Sequence, residues 1–476
     1  DFPVQGEKDL QIDVPQIYYG ELTDTYVFTN TKTDEFDYPM GDTNAFTRYE
    51  GSGGILLKNL LRRFLLALHF GDYRILISGE LTPDSRIHFK RNIQERLQEL
   101  FPYLEYDEDP YLVIADGRLF WLCDAYSTSS LYPYAQPYGR INYIRNSVKV
   151  TVDAYNGDVR FYVFAPEDPL IKAYDKIFPH TFLPAEEMPA SLRAHIRYPE
   201  RLFKIQADVY ATYHMQDRKV FYNKEDLWQT PRESYGDEMI PMEPYYTLLR
   251  LPEEEKAEFI LMRPYTLHSR DNMVAWLAAR SDEDNYGQLI VYEFPKGQLL
   301  YGPSQIEARI DQDSVISQQL SLWSQRGSSV IRGNLLVLPI NDTILYVEPL
   351  YLRAQQSELP ELARVIAAYG DEVVMKNSLE AALAALFDLT PGAPGIDPDL
   401  PAEPEVPGDQ LPALPDASAE ELIIQAATLY EEAQIVLRNG DWAEYGRLQD
   451  ELGKVLLTLQ QLTTPAEQDA APETGE

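Results

Sequence analysis

Apolar and polar residues follow two different periods along this chain, and both predict regular structure. The first fifty residues hold short apolar runs at residues 17–21 and 26–29, which are typical of extended segments. Between residues 55 and 70 the apolar positions cover most of a helical surface. A helix that is mostly buried, or that faces another apolar surface, is therefore expected there.

A second helix is predicted after residue 81. Thr82 has a hydroxyl group suited to an N-cap, and Pro83 fits the first turn of a helix. The inner face of this helix is expected to hold Ile87, Ile93, Leu97 and Leu100.

Two dipeptides, Asp116-Gly117 and Asn156-Gly157, predict β-hairpins, because these residue types tolerate the positive φ angles of a tight turn. Apolar runs flank both turns. The turns lie 40 residues apart, which is a propeller-blade period. Two copies do not establish a repeat, so both hairpins are expected in one antiparallel sheet.

The rest of the chain mixes helices and strands. Residues 168–228 predict helices, and further helices are predicted at residues 273–279 and 314–323. The predicted strands are residues 245–251, 259–262, 289–294, 330–338 and 344–352. Because no regular βαβ alternation links them, the expected fold class is α+β, with antiparallel sheets and packed helices.

Composition divides the chain into five expected parts. The segment at residues 388–416 holds eight prolines, seven acidic residues and no Lys or Arg, which predicts an extended linker. Amphipathic spacing after it predicts a helical hairpin that docks on the body or on a partner. The five parts are an N-terminal α+β part with the two β-hairpins (residues 1–165), a second α+β part (166–387), the acidic Pro-rich linker (388–416), the helical hairpin (417–463) and a disordered tail (464–476).

The charge of the chain limits its partners. There are 76 acidic and 41 basic side chains, a formal net charge of −35, so nucleic acid is not an expected partner. Residues 58–96 are an exception, with eight basic and four acidic residues. This basic segment could meet phosphate headgroups or an anionic wall polymer, although pairing with nearby carboxylates also accounts for it.

Other features indicate an incomplete polypeptide without disulfides. Cys123 is the single cysteine, so no disulfide forms within the chain. No stretch of about 18 residues is apolar enough to cross a bilayer. Because the chain begins at Asp1, we expect a fragment or a processed form.

One segment has the spacing of a calcium-binding loop. Asp282, Asp284 and Glu293 occupy positions 1, 3 and 12 of such a loop, so their carboxylates could surround a Ca²⁺ ion. Position 5, however, is Tyr286, and residues 289–294 predict a strand instead of the exit helix. The preferred interpretation is an acidic turn before a strand, and no other cofactor is expected.

Motifs of the common enzyme classes are absent from the sequence, so the catalytic residues are unknown. The histidines show no HExxH spacing, and there is no GxSxG or GxxxxGK motif. Residues 51–54 could bind an anion through backbone amides, but a flexible helix entry is preferred. The acidic residues Glu307, Asp311 and Asp313 are candidates for the paired carboxylates of a hydrolase.

A tyrosine-rich segment, in and just after the loop at residues 124–141, offers a further binding surface. Residues 127–130 add four hydroxyl side chains to this segment. Amphipathic rings beside hydroxyl groups suit contact with a glycan or a protein, although the rings could also cover a sheet edge. The tyrosines are Tyr126, Tyr132, Tyr134, Tyr138 and Tyr143.

Several long strings carry a resemblance to a known family. They are residues 15–21, 50–54, 109–111, 116–118, 142–154 and 318–352. Through these strings the chain resembles uncharacterised protein family 0182 of bacteria, from about residue 11 to residue 352. The resemblance implies several membrane-spanning helices before a large domain outside the cytoplasm, and this chain resembles only that outer domain.

The resemblance supplies a location and no catalytic residue. It implies a cell-membrane protein whose partners include its own N-terminal membrane helices, and envelope proteins or glycans are further candidates. The leading hypothesis is a cell-surface interaction module. The alternative is a cell-envelope hydrolase that uses paired carboxylates, and a third hypothesis is a role in transport through the membrane helices. Oligomeric state is left open.

Overall fold

A computed structural model describes residues 10–387, apart from residues 41–42, 237, 252–255, 283–284, 296, 298–299, 324–327, 341–342 and 355–358. The chain divides into two units, residues 1–391 and 392–476, and all described residues belong to the first. The predicted linker, helical hairpin and tail lie outside the described residues. They stay predictions, as does the predicted boundary at residue 165.

Strands and short helices alternate irregularly along the chain. The elements up to residue 177 are β1 (Val27–Thr29), β2 (Glu35–Met40), β3 (Thr43–Thr47), β4 (Ile55–Leu56), α1 (Leu60–Phe70), α2 (Arg74–Ile77), β5 (Arg86–His88), α3 (Ile93–Leu100), β6 (Glu105–Tyr106), β7 (Tyr111–Ala115), β8 (Arg118–Ser129), β9 (Tyr143–Asp153), β10 (Val159–Val163) and α4 (Pro169–Ile177). The later elements are β11 (Phe182–Pro184), α5 (Ala190–Arg193), α6 (Glu200–Tyr213), α7 (Arg218–Asn223), β12 (Trp228–Gln229), β13 (Arg232–Tyr235), β14 (Glu238–Pro241), β15 (Tyr245–Arg250), β16 (Ala257–Leu267), β17 (Arg270–Arg280), β18 (Leu289–Glu293), α8 (Pro303–Gln312), α9 (Ser314–Trp323), β19 (Ser328–Arg332), β20 (Leu336–Ile340), β21 (Thr343–Ala354), β22 (Glu361–Tyr369), β23 (Glu372–Lys376) and α10 (Leu379–Leu386). The α+β class is confirmed.

A three-stranded sheet in the order β1-β5-β4 lies near the N-terminus and packs under α1 and α2. The helix predicted over residues 55–70 begins only at Leu60, because residues 55–56 pair with β5. The Asn59 side chain accepts a hydrogen bond from the Arg62 backbone N–H and so caps the helix. Only Leu66 and Ala67 of α1 are buried, so the first alternative, a mostly buried helix, is wrong for the structure described. The second alternative, a helix that faces another apolar surface, stays a prediction.

The helix predicted to begin at Thr82 begins instead at Ile93. The Thr82 backbone N–H donates to the Ser85 side chain, and the Ser85 N–H donates back to the Thr82 carbonyl. These bonds close a turn that leads into β5. The N-cap of the true helix, α3, is Asn92, whose side chain accepts from the Glu95 N–H.

Both predicted hairpins belong to one six-stranded sheet. Its order is β11-β10-β9-β8-β6, and β7 pairs with the remaining part of β8. The sheet is antiparallel except for the parallel pair β10–β11. Asp116 and Gly117 have φ angles of +51° and +74°, as a tight turn requires. The prediction of one antiparallel sheet is confirmed for these hairpins.

Two five-stranded sheets form the second half, β12-β16-β17-β18 with β15, and β19-β21-β22-β23 with β20. The helix predicted at residues 273–279 is in fact part of β17. Strand β17 pairs on both sides, and its residues 275–280 are all buried. A strand buried on both faces loses its polar alternation, so its sequence resembles that of a buried helix.

The remaining predictions of the second half are close to the structure. The predicted helix at residues 314–323 is confirmed as α9. The predicted strand at residues 330–338 is two strands, β19 and β20, which both pair with β21. Helices α8 and α9 pack over this sheet and share its apolar core. None of the helices in the described part of the chain combines the length and apolar character needed to span a bilayer.

Candidate ligand-binding cleft

A cleft of about 680 Å³ opens between the six-stranded sheet and α6. This volume falls within the range of small-molecule sites. Its lining comes from strands β6, β8 and β15, from the tyrosine-rich segment and from the start of α6. The lining residues are Glu105, Asp107, Glu108, Asp109, Asp124, Tyr138, Gly139, Arg140, Ile141, Arg197, Pro199, Glu200, Arg201, Lys204, Ile205 and Tyr246.

The helix α6 presents one polar face to this cleft. Residues three and four positions apart share a face of a helix, and Glu200, Arg201 and Lys204 line the cleft together. The adjacent face of α6 carries Phe203 and Ala207, which are fully buried in the core beneath. The amphipathic pattern of α6 therefore determines which of its charged side chains line the cleft.

Arg201 bridges the helix and the sheet. Its guanidinium group lies 2.5 Å from a Glu105 carboxylate oxygen and 5.2 Å from the centre of the Tyr126 ring. The Thr128 hydroxyl donates to Glu105 at 2.8 Å. Burial acts to raise the pKa of Glu105, but the hydrogen bonds from Thr128 and Arg201 outweigh it, so the pKa is lowered. Glu105 is held as a carboxylate.

Arg197 lies between two aromatic rings. Its guanidinium carbon is 4.1 Å from the centre of the Tyr111 ring and 4.9 Å from that of Tyr246. One of its N–H groups donates to Asp109 at 2.9 Å. Burial acts to lower the pKa of Arg197. The interactions with Tyr246, Tyr111 and Asp109 outweigh burial, so the pKa is raised overall. The cation is fixed in place by stacking and pairing.

A third cation, Lys204, completes the positive side. Its ammonium group lies 2.8 Å from Glu200 and 2.6 Å from Glu243. Burial acts to lower the pKa of Lys204, and the two carboxylates reverse this and raise it. Near it, the Tyr138 hydroxyl donates to Asp208 at 2.7 Å, which anchors the tyrosine-rich segment to α6.

Beneath the cleft, Asp124 forms a buried ion pair with Lys149. The Lys149 ammonium group also donates to the Arg197 carbonyl at 3.3 Å and lies 5.1 Å from the centre of the Tyr286 ring. This pair connects the sheet to the segment that carries Arg197. The cleft floor is thus fixed by electrostatic contacts as well as by packing.

The tyrosines predicted as a binding surface divide between two roles. Tyr126 is buried and its hydroxyl donates to Asp107, so this ring is part of the sheet packing. Tyr143 donates to Asp168 at 2.9 Å and stacks on Tyr132 with ring centres 5.2 Å apart. Only Tyr138 of the predicted set lines the cleft, and Tyr134 is fully exposed.

The sequence did not identify the cations of the cleft. Arg197, Arg201 and Lys204 are spaced at i, i+4 and i+7, which is a weak signal of a basic helical face. The partner of Arg201, Glu105, lies 96 residues earlier in the chain. No local motif joins residues so far apart, so only the tertiary fold brings them together.

The predicted calcium loop lies only partly within the described residues. For the calcium loop, Asp284 lies outside the described residues, and the predicted strand after it is present as β18. Among the residues that the structure describes, no group of three or more His, Cys, Asp or Glu side chains could hold a metal ion. The calcium site with Asp282 and Glu293 therefore stays a prediction.

Residues 51–54 lead into strand β4 and not into a helix, which corrects the prediction of a helix entry. The backbone N–H of Ser52 donates to the Asn156 side chain at 3.0 Å. The N–H of Gly53 donates to the Tyr49 hydroxyl at 2.7 Å. Both amides are thus used within the protein, which leaves them without free capacity for an anion.

The candidate carboxylates of a hydrolase lie in the second half of the chain, away from the cleft lining. Glu307 and Asp311 both contact Arg332, as does the buried Glu348. Burial, and then the charge of Glu348, raises the pKa of Glu307 to about 8. Asp313 is separate, because its carboxylate accepts from the backbone of the first turn of α9.

A family comparison matches most of the described residues. The model of an uncharacterised protein family, UPF0182, matches residues 1–323. A UPF0182 protein of Desulforamulus reducens is 50% identical over 467 residues, which cover 97% of this chain and 50% of the relative. A UPF0182 protein of Pelotomaculum thermopropionicum is 51% identical over 460 residues, which cover 96% of this chain and 50% of the relative.

A third relative, from Methanospirillum hungatei, is 48% identical over 455 residues, with 94% of this chain and 49% of the relative covered. The chain spans about half the length of the curated relatives it matches. No solved structure matches the chain.

Proposed function

Since the chain belongs to the uncharacterised protein family UPF0182, we propose that it is the extracytoplasmic domain of a larger cell-membrane protein and acts there as a binding module. The aligned relatives are about twice as long, which leaves room for a membrane-embedded part outside the aligned half. The partners we propose are those membrane helices and an envelope glycan in the cleft.

The observation that carries the binding function is the array of fixed charges in the cleft. The pKa of Glu105 is lowered, and the pKa values of Arg197 and Lys204 are raised, so each group is held in its charged form. A general acid or base works best with a pKa near the operating pH. Charges that do not titrate near neutrality suit recognition of a ligand.

The chemistry of the lining favours a ligand rich in hydroxyl groups. Carboxylates accept hydrogen bonds, and Arg and Lys side chains donate them. A cleft with both can therefore bind a ligand hydroxyl group either as a donor or as an acceptor. The exposed ring of Tyr138 adds an apolar face for the C–H surface of a sugar. We therefore propose an oligosaccharide of the cell envelope as the ligand class.

Glycan binding can be tested with purified chain and soluble cell-wall oligosaccharides by calorimetry. Replacing Arg201 with Gln or Tyr138 with Ala should weaken binding at least about tenfold, because each removes a lining group. The control is Tyr134→Ala, since that ring is fully exposed and does not line the cleft. Wild-type chain that binds no envelope oligosaccharide, or cleft variants that bind normally, would contradict the proposal.

The proposed location has its own test. Full-length relatives carrying a tag in the region of this chain should expose that tag to protease added outside intact cells. A tag that is protected until the cells are lysed, or that is recovered with the cytosol, would exclude the extracytoplasmic assignment.

A second candidate function is a cell-envelope hydrolase that uses paired carboxylates. The observation that favours it is the pKa of Glu307, raised to about 8 by burial and Glu348, next to the more exposed Asp311 on the shared Arg332. A carboxyl group whose pKa is raised toward neutrality can act as the general acid of a hydrolase, with a second carboxylate nearby. Turnover of an envelope glycan by wild type, lost in Glu307→Gln, would support it. Absence of turnover by wild type would contradict the hydrolase function.

A further inference from the structure

The side of α1 that faces away from the three-stranded sheet carries an exposed apolar stripe. Its members are between 51% and 70% exposed, and they are Leu60, Leu61, Phe64, Leu65 and Leu68. With about 100° between successive residues, they cover an arc of about 140°. An apolar surface of this kind normally marks an interaction site.

The next helix also has exposed apolar side chains. Tyr73, the N-cap residue of α2, and Ile77, its last residue, are both largely exposed. Ile75, between them, is buried in the core shared by α1 and α2. The two helices therefore hold their outward apolar side chains on a fixed support. We call the stripe together with Tyr73 and Ile77 the α1–α2 face.

Cations border the α1–α2 face. Residues 58–77 contain four Lys and Arg residues and one acidic residue, although the whole chain has a net charge of −35. Lys58 and Arg62 are exposed, and Arg62 donates to the Leu56 carbonyl at 3.0 Å, which keeps its guanidinium beside the stripe. Arg74 pairs with the single acid, Asp72.

We propose that the α1–α2 face inserts into the headgroup region of an anionic lipid bilayer. Interfacial helices combine an apolar face with Lys and Arg at its border, and an exposed aromatic ring suits the same depth. Charge complementarity favours lipid over a second copy, because two identical faces would bring their cations together. Elsewhere the chain is strongly acidic and is repelled by such a surface, so the contact has a defined orientation.

This inference agrees with the proposed membrane location but does not rest on ligand binding in the cleft. The two proposals use different residues, and vesicle binding by purified chain can fail while the glycan assay succeeds. The outcomes of the two tests are therefore distinguishable.

The test is co-sedimentation of the 476-residue chain with vesicles at low salt. Vesicles of phosphatidylglycerol and phosphatidylcholine should bind at least about tenfold more tightly than phosphatidylcholine alone, and added salt should weaken the binding. The double variant Phe64→Ser, Leu68→Ser should lose this binding without a change in circular dichroism. The matched control is Leu322→Ser, an exposed leucine on α9, which should bind as wild type does.

Three results would overturn the inference. The first is wild-type chain that binds neither kind of vesicle. The second is a Phe64→Ser, Leu68→Ser variant that keeps full binding. The third is a wild-type dimer that this variant converts to a monomer while vesicles stay unbound, because the occupant would then be a second copy. A Lys58→Gln, Arg62→Gln variant should lose the preference for anionic vesicles, which separates the charge contribution from the apolar one.

Discussion

Lys149 on β9 and Asp124 on β8 are directly opposite each other in the antiparallel register, and their charged groups form an ion pair beneath the cleft. Both side chains are at most 5% exposed. Strand β8 thus presents one face to the core at Cys123 and places a charge at the next position on the other face. The pair connects the most regular part of the fold to the candidate site.

Removing one partner of this pair should strongly destabilise the chain. Lys149→Met leaves the Asp124 carboxylate buried without a cation, so the free energy of unfolding should fall by about 3–5 kcal/mol. The double variant Asp124→Leu, Lys149→Met should recover most of the loss. Urea unfolding measures both, and Lys172→Met, which breaks an exposed pair with Glu167, is the control. Equal midpoints for Lys149→Met and Lys172→Met would contradict this prediction.

The stability of the chain should decrease as the pH rises from about 4.5 to about 8 because of Glu307. Its pKa is raised from 4.5 to about 8, so the folded chain binds its proton more tightly than the unfolded chain does. The resulting stability is fully present below about pH 4.5 and is lost as the pH rises through about 8. Burial raises the pKa of Glu233 to about 7, which adds a change of the same sign.

The measurement is the urea midpoint between about pH 5 and about pH 8. Glu307→Gln cannot ionise, so its midpoint should decline less over this interval than that of wild type. Glu361→Gln, at an exposed position, should keep the wild-type slope. If the urea midpoints of wild type and Glu307→Gln decline equally with pH, Glu307 is not the group responsible for the loss of stability.

His88 should give the opposite dependence on the acid side. Burial, followed by the charges of Arg91 and other arginines, lowers its pKa from 6.5 to about 4. Its ring nitrogens are each 3.0 Å from a hydroxyl, of Tyr19 and Thr29. A lowered pKa contributes stability that is present above about pH 6.5 and is lost as the pH falls through about 4.

Replacing His88 with Gln should therefore reduce stability at neutral pH, because a buried hydrogen bond is lost, and should flatten the decline between about pH 6.5 and about pH 4. His268→Gln, at an exposed position, is the comparison. If the stability of both variants falls as steeply as that of wild type between about pH 6.5 and about pH 4, the neutral, buried state of His88 does not contribute to stability.

Gly157 should not tolerate a side chain. Its φ angle is +75°, and a Cβ atom there would lie 2.5 Å from the Tyr19 ring. Gly370 also has a positive φ, of +56°, but a Cβ atom at that position would have no neighbouring atom within 4 Å. Gly157→Ala should thus be less stable than Gly370→Ala by about 1–3 kcal/mol in urea unfolding, which is the cost of overpacking beyond backbone strain. Equal losses of stability in the two variants would mean that the Tyr19 ring moves to make room for the added methyl group.

Local signals account for the parts of the fold that the sequence predicted well. The hairpin at Asp116-Gly117 depends on two turn residues and the runs beside them, so its evidence lies within about a dozen residues. The helix α9 is likewise amphipathic on its own. The sequence of strand β17 instead predicts a helix, because both faces of the strand are buried and it carries no polar alternation. Ala275, Leu277 and Ala279 lie in the core shared with α6, and Trp276 and Ala278 lie in a second apolar cluster.

Neither candidate surface could be derived from the sequence. The apolar residues of α1 predicted a helix, but hydrophobicity does not reveal whether the chain itself covers a given face. The cleft joins Glu105, Arg201 and Tyr246 from three separate elements. Their meeting depends on how α6 packs against β12 and β16 of one sheet and β9 of the other, which is a property of the tertiary structure.

Cys123 is 2% exposed within β8, and burial raises the pKa of its thiol well above the ordinary value. Maleimide or iodoacetamide should thus leave the native chain unmodified. A cysteine introduced at an exposed position would be the sole labelling site for a fluorophore or spin probe, and delayed alkylation of the native thiol would report the opening of the six-stranded sheet.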